Sequence, residues 1–317
     1  MIILCFSSKF KNAGLIIIVS AIIIGIYFPS RHARHYSCVK NENVLDSLYY
    51  EQKMAHHNLK NCNYEDVVFM PGNDISIEDV SDEKIYLKPL PGGEYLPTQC
   101  SPLLKSAIIV PYRDRPKQLK TFLNYMHHFL QKQKLHYRIF IVDQKNENLF
   151  NRAKLLNIGA KLAMKYGFPC LVLHDIDLIP LNYANIYACS NTPRHMSSSL
   201  DTFRYNLPYL TIFGGAVAIL SEQFKTINGM SNLFEGWGGE DDDLYKRLIE
   251  HGLIPCRFCP SISKYTMLLH KKNRKTSESR FNLLKKSTQR SKFDGLNTLN
   301  DNFTIEVESL FTHIIVS

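Results

Sequence analysis

No basic block with interleaved aromatics occurs anywhere in the chain, which argues against nucleic acid as a partner. Internal repeats and low-complexity segments are also absent, so a repeat architecture is excluded. Acids are the scarcer charge: 29 Asp and Glu stand against 38 Lys and Arg, a net charge of +9. That balance suits an anionic partner such as phosphate or a membrane surface, without choosing between them. Only one CxxC is present, "CRFC" at Cys256 to Cys259, and a four-ligand structural zinc site would lack its second half. A metal or redox pair and an additional disulfide remain as readings of it. The one Asn-x-Ser/Thr acceptor, at Asn302, is weak support for a secretory compartment.

What is present begins with "AGLIIIVSAIIIGIYF", Ala13 to Phe28. The charge-free stretch from Asn12 to Ser30 approaches the roughly 20 residues that span a bilayer as a helix. A cleaved signal peptide is the rival reading, but no small-x-small site follows before Arg31. Charges flank both ends, so orientation is weakly determined. The expectation is a cytoplasmic tail over 1–12, a single transmembrane signal anchor over 13–30, a polar stem over 31–60 and a lumenal domain over 61–317. The chain has room for one large domain or two modest ones.

The folded part alternates. "SAIIVPY" (106 to 112), "YRIFIVD" (137 to 143) and "CLVLHDID" (170 to 177) read as strands. Between them, residues 116–134 carry Leu119, Phe122, Leu123, Met126, Phe129 and Leu130 at helical spacing, and 151–167 form a helix ended by Gly167. Strand, helix, strand, helix, strand implies an α/β fold with a nucleotide-binding parallel sheet, whose ligands bind at the carboxyl ends of the strands.

Chemistry gathers at those ends. In "HDIDLIP" the period of a strand points Asp175 and Asp177 to one face, where two carboxylates can bind a divalent ion holding a diphosphate. An acidic turn closing a strand is the plain alternative. "VPYRDR" offers Arg113 and Arg115 to phosphate beside Pro111 and Tyr112, or is a solvated loop. "LFNRAKLLN" adds Phe150 as a stacking surface and Arg152, with Leu155, Leu156 and Ile158 assigned to the core. "GWGGEDDDLYKRL" (236 to 248) sets four consecutive acids behind the only tryptophan. Acids in a helix's first turn gain about 0.3–1 kcal/mol each from its dipole, but four exceed that need. A flat ring beside carboxylates suits a sugar. "YTMLLH" supplies Met267 and His270, whose value depends on meeting Asp177.

In combination and order, "FNRAKLLNIG", "HDIDLIP", "FGGAVAI", "GWGGEDDD" and "DGLNTL" resemble the β-1,4-galactosyltransferase family over roughly residues 60–315. The resemblance implies a GT-A-type nucleotide-sugar-binding fold with a mixed, mainly parallel sheet, a Golgi membrane location of single-pass type II, and Mn2+ as cofactor. Residue by residue it implies metal ligands Asp177, Met267 and His270. It implies a donor site of Pro111, Tyr112, Arg113, Arg115, Phe150, Arg152, Asp175, Ile212, Trp237 and Gly239. Tyr209, Glu240, Asp241, Arg280, Phe281 and Leu284 fall on the acceptor side, with Asp241 the general base of a single inverting displacement. Disulfides Cys62–Cys100 and Cys170–Cys189 are implied too, and Tyr265 stands where the family has a free cysteine.

Ile212 replaces the Tyr of the galactose-transferring vertebrate members, leaving room for an acetamido group. The expectation is therefore transfer of GalNAc from UDP-GalNAc in β-1,4 linkage to a terminal GlcNAc of glycoproteins or glycolipids, with UDP-Gal as the alternative donor. Thr202 and Glu235 also depart from the pattern. A membrane-anchored sugar-binding protein without turnover and a metal-dependent hydrolase are the rival classes, and a homodimer is compatible with the sequence.

Overall fold

The computed structural model describes residues 8–32, 36–51, 59–80, 87–269, 278–299 and 302–317. A helix runs over Ser8–His32, and within it Leu15, Ile16, Ile17, Ile22 and Ile26 are exposed. Among the described residues no helix is long and apolar enough to cross a membrane, and side chains of this one are described only over 12–26.

Among the described residues there are eleven strands: β1 Glu94–Tyr95, β2 Lys105–Tyr112, β3 His136–Gln144, β4 Cys170–His174, β5 Leu178–Pro180, β6 Arg194–His195, β7 Ser199–Leu200, β8 Ala216–Leu220, β9 Lys264–Met267, β10 Phe303–Val307 and β11 Thr312–Val316. The large sheet has the order β10-β11-β3-β2-β4-β8-β6, with β1 also on β3, and a small sheet has the order β5-β9-β7. The neighbours β11, β3, β2 and β4 are parallel, as alternating strand and helix requires. Every other pairing in that sheet, β1–β3, β10–β11, β4–β8 and β6–β8, is antiparallel, so the sheet is mixed around a parallel centre.

β2 and β3 are buried along almost their whole length, the apolar signature of a sheet covered on both faces. On one face lies the helix Arg152–Lys165, where Leu155, Leu156 and Ile158 are buried as expected of core residues. A Cβ at Gly159 would stand 2.4 Å from Ile109 Cγ2, so helix and sheet approach as closely as a bare Cα allows. The helix Pro116–Lys132 buries Phe122, Met126 and Phe129 with the other cluster of core side chains. Pro111 lies beyond the last β2–β4 partner pair, Ile109 with Leu173, so its missing N–H breaks no ladder there.

Two boundaries differ from expectation. β4 ends at His174, because the backbone turns at 175–177, where Leu178 N–H donates to Asp175 O at 3.2 Å. The period-two argument for Asp175 and Asp177 therefore does not apply. Residues 36–51, placed in the stem from sequence, fold onto the domain: Val44 and Leu48 enter the core, apolar surface that polar neighbours conceal in the sequence.

The disulfides Cys62–Cys100 and Cys170–Cys189 are both formed. The CxxC does not close on itself. Cys259 is bonded to Cys38 across 221 positions of sequence, and Cys256 is a free thiol. Val39 N–H donates to Arg257 O at 2.8 Å and Cys259 N–H to Val39 O at 3.2 Å. Cys256 in turn bridges Arg194 of β6. The large sheet thus continues sideways through 256–258 to Val39, which forms its last rung.

Candidate active site

Beyond the carboxyl end of β4, Asp175 N–H donates to Gly215 O at 3.1 Å next to the loop 209–214, and Gly214 of that loop abuts Asp241 in the first turn of the helix Glu240–Glu250. Gly239 begins that helix at φ 101, a left-handed conformation that a side chain would strain, and a Cβ there would meet Phe234 Cε1 at 2.9 Å. The four acids form the first turn and then diverge.

Glu240 points toward Arg152, its Oε1 3.9 Å from Nη1, and Arg152 Nε donates to Asp175 Oδ1 at 2.6 Å. Burial first, and the Asp241 charge next, push the Glu240 carboxyl up to about 7. Burial also raises Asp241, with Asp242 adding to it. Asp241 lies against Gly214, where a Cβ would stand 2.6 Å from its Oδ2. Asp242 accepts from the Tyr209 hydroxyl at 3.2 Å. Asp243 does not share the site. Fully buried, it accepts from Arg247 Nε and Arg290 Nη2, both at 2.8 Å, and holds the helix to the segment carrying Asp294. One of the four acids is therefore a packing element, and only three face the cleft chemistry expected of the group.

Asp177 accepts from Arg115 Nη1 at 2.9 Å, while Asp175 takes Arg152. The paired aspartates thus engage separate cations. Register places Leu178 opposite Met267, and Leu268 N–H donates to Asp177 O at 2.7 Å, so residues 177 and 267 adjoin. His270 lies outside the described residues. Carboxylate oxygen with thioether sulfur, and an imidazole three residues on, is a donor set for a borderline transition ion rather than Mg2+. Asp201, which sequence reasoning missed, accepts from Thr266 Oγ1 and from Met267 N–H at 3.3 Å, fixing the strand that carries Met267. Tyr265 is buried, its hydroxyl 2.8 Å from that of Tyr187, and serves packing.

Arg113 Nη1 donates to Asn148 O at 2.7 Å, with its guanidinium 5.3 Å from the centroid of the Phe150 ring. Tyr112 is buried, and its hydroxyl accepts from Arg115 N–H at 3.1 Å. Gly236 N–H donates to Phe150 O at 2.9 Å, which fastens the Trp237 loop to the start of the helix Arg152–Lys165. Trp237 is exposed, and its carbonyl accepts from Arg280 Nη1 at 3.3 Å. Arg280 covers Phe281 at 4.6 Å, and Leu284 lies 3.5 Å from the Cβ position of Gly239. Arg280, Phe281 and Leu284 are therefore gathered beside the Gly-Trp-Gly-Gly turn. Thr202, Glu235 and Asn302 are exposed.

Ile212 lies half-buried between Tyr209 and Gly214, and its carbonyl accepts from Arg257 Nη2 at 3.0 Å. No single-sequence signal marked Arg257; its contacts are made across the fold.

A mixed sheet with cationic and acidic side chains at the parallel strand ends defines an α/β fold of the nucleotide-sugar glycosyltransferase type. Two family models match: the N-terminal region of glycosyl transferase group 7 over residues 57–190, and the N-terminal domain of galactosyltransferase over 194–271. Bovine β-1,4-galactosyltransferase 1 is 41% identical over 248 residues, 77% of this chain and 60% of that protein. The β-1,4-galactosyltransferase 4 of Cricetulus griseus is 37% identical over 254 residues, 79% of this chain and 72% of that protein. The catalytic domain of Drosophila β-1,4-galactosyltransferase 7, solved with xylobiose, superposes with a TM-score of 0.56 at 30% identity, covering 68% of this chain and 93% of that one. A mutant of the same Drosophila enzyme was solved with manganese, UDP-Gal and xylobiose. The chain belongs to the β-1,4-galactosyltransferase family. Its match spans about three-fifths of the length of the bovine relative.

Proposed function

We propose that this chain is an inverting β-1,4-glycosyltransferase that moves galactose from UDP-Gal to a terminal GlcNAc. The observation that carries the reading is the Asp241 carboxylate lodged against Gly214, its proton affinity raised by burial and by Asp242, beside the Arg152 link from Glu240 to Asp175. Asp241 takes the proton from the acceptor 4-hydroxyl as that oxygen attacks the anomeric carbon. Tyr209 is fastened to Asp242, and Arg280, Phe281 and Leu284 form the pocket for the N-acetyl group. Arg113, Phe150 and Tyr112 hold the nucleotide, and Arg152 fixes Asp175 at the diphosphate end. Asp177, Met267 and His270 would hold Mn2+, which when bound offsets charge on the departing diphosphate.

Galactose is preferred as donor because the named relatives are galactosyltransferases, one of them solved with UDP-Gal. UDP-GalNAc, the donor expected from Ile212, is the second reading, since that residue lies in the loop between Tyr209 and Gly214. Transfer to a simple GlcNAc β-glycoside with Mn2+, comparing UDP-Gal with UDP-GalNAc, tests both. Faster transfer from UDP-Gal supports the first; a reversed ratio supports the second; no transfer from either removes both.

The proposal extends to a Golgi location with the helix Ser8–His32 as anchor, supported by three disulfides, which persist in oxidising compartments. Endoglycosidase sensitivity lost in Asn302→Gln would support lumenal orientation; an unglycosylated Asn302 in a folded, membrane-bound chain would count against it.

A further inference from the structure

Arg257 is almost fully buried in the CxxC loop, and its guanidinium reaches the loop that the proposed function assigns to both substrates. Nη2 donates to Leu210 O at 2.8 Å and to Ile212 O at 3.0 Å. Nε donates to His195 Nδ1 at 3.2 Å, and that acceptor role leaves the proton on Nε2, which donates to Gly214 O at 3.1 Å. Burial, and then the Arg257 charge, hold His195 neutral, as this relay needs. The Ser197 hydroxyl also donates to Gly214 O, at 3.2 Å. Three carbonyls, of residues 210, 212 and 214, are thus held from behind by one Arg–His pair. In front of them stand Tyr209, Ile212 and the Asp241 carboxylate against Gly214.

The clamp is itself held from outside the matched family regions, which begin at residue 57. The Tyr36 ring lies 5.4 Å from the Arg257 guanidinium, within cation–π range, and its hydroxyl is 3.2 Å from Ser198 Oγ. Val39 exchanges two backbone hydrogen bonds with residues 257 and 259, and Cys38 is bonded to Cys259.

We infer that Arg257 is a positioning residue for the substrate loop 209–214, and that residues 36–39 lock it in place from the stem side. The assignment of that loop to substrates rests on the proposed function; the clamp itself rests on geometry alone.

The test uses the full chain with Arg257→Lys, Tyr36→Phe, Tyr36→Ala and Cys38→Ser, read in two ways. Amide hydrogen exchange across 209–216 is expected to quicken by about tenfold or more in Arg257→Lys, Tyr36→Ala and Cys38→Ser. Exchange in β2 and β3 should stay at the unmodified level. The KM for donor and acceptor should rise by about tenfold, with a smaller fall in kcat, and Tyr36→Phe should restore both, because it keeps the ring. Unchanged exchange at 209–216 in the three variants would overturn the inference. So would a uniform rise in exchange across β2 and β3, which marks general destabilisation. If the unmodified chain transfers neither sugar, the proposed function falls, and the clamp is still decided by the exchange data.

Discussion

Asp241 Oδ2 lies so close to Gly214 that a Cβ on the glycine would stand 2.6 Å from it. Gly214 is absent from the positive-φ glycines, so alanine is conformationally acceptable there and the conflict falls on the carboxylate. Gly214→Ala is expected to lower kcat by about 10²-fold through displacement of the base, with a melting temperature close to that of the unmodified chain. Steady-state kinetics beside a thermal melt checks it; unchanged kcat would show that the carboxylate has room to move.

Adjacent acids of one helical turn should behave in opposite ways. Asp241→Asn is expected to lose about 10²–10⁴-fold in kcat while still binding UDP, because it removes a proton acceptor. Asp243→Asn removes one of the two buried carboxylates, Asp294 being the other, that face Arg247 and Arg290, and should cost about 3 kcal/mol of stability. Urea midpoints and UDP titrations on both variants separate the two roles.

Glu240 titrates near neutrality, raised from 4.5 to about 7 by burial and by Asp241. A carboxyl raised on folding contributes stability that is full below its unfolded value and is lost as pH climbs through its folded one. The melting temperature should therefore fall from about pH 5 to about pH 8, and Glu240→Gln, which cannot ionise, should flatten that slope. An identical slope in the variant would place the titration elsewhere.

Ile212→Tyr is expected to shift the ratio of UDP-Gal to UDP-GalNAc transfer toward galactose by about tenfold, since a ring fills space that an acetamido group would need. Competition between the two donors over one acceptor measures it. A constant ratio would mean that residue 212 does not select the donor.

The sheet's centre was legible because buried parallel strands leave unbroken apolar runs, and the helix Arg152–Lys165 because its apolar residues recur at helical spacing. The C-terminal hairpin β10–β11 was not legible, although β11 lies parallel to β3 at the edge of the parallel centre. Cys38–Cys259 was invisible for a physical reason: its partners are brought together by an edge rung at Val39 that two backbone hydrogen bonds create, with no side-chain pattern to announce it. Site motifs were readable as groups but not as individuals. Asp242 and Asp243 look alike in sequence, yet one meets a tyrosine and the other a buried and a half-buried arginine. Asp175 and Asp177 likewise part company because the backbone turns between them.

The outermost rung at Val39 also has a bearing on how the protein behaves in solution. A form begun near residue 60 would bare the strand edge at 257–259 and release Cys259 as a thiol three positions from free Cys256. Unpaired edges recruit other chains, and neighbouring thiols cross-link them. Preparations that keep residues 36–39 are therefore expected to stay monodisperse where trimmed ones form disulfide-linked aggregates.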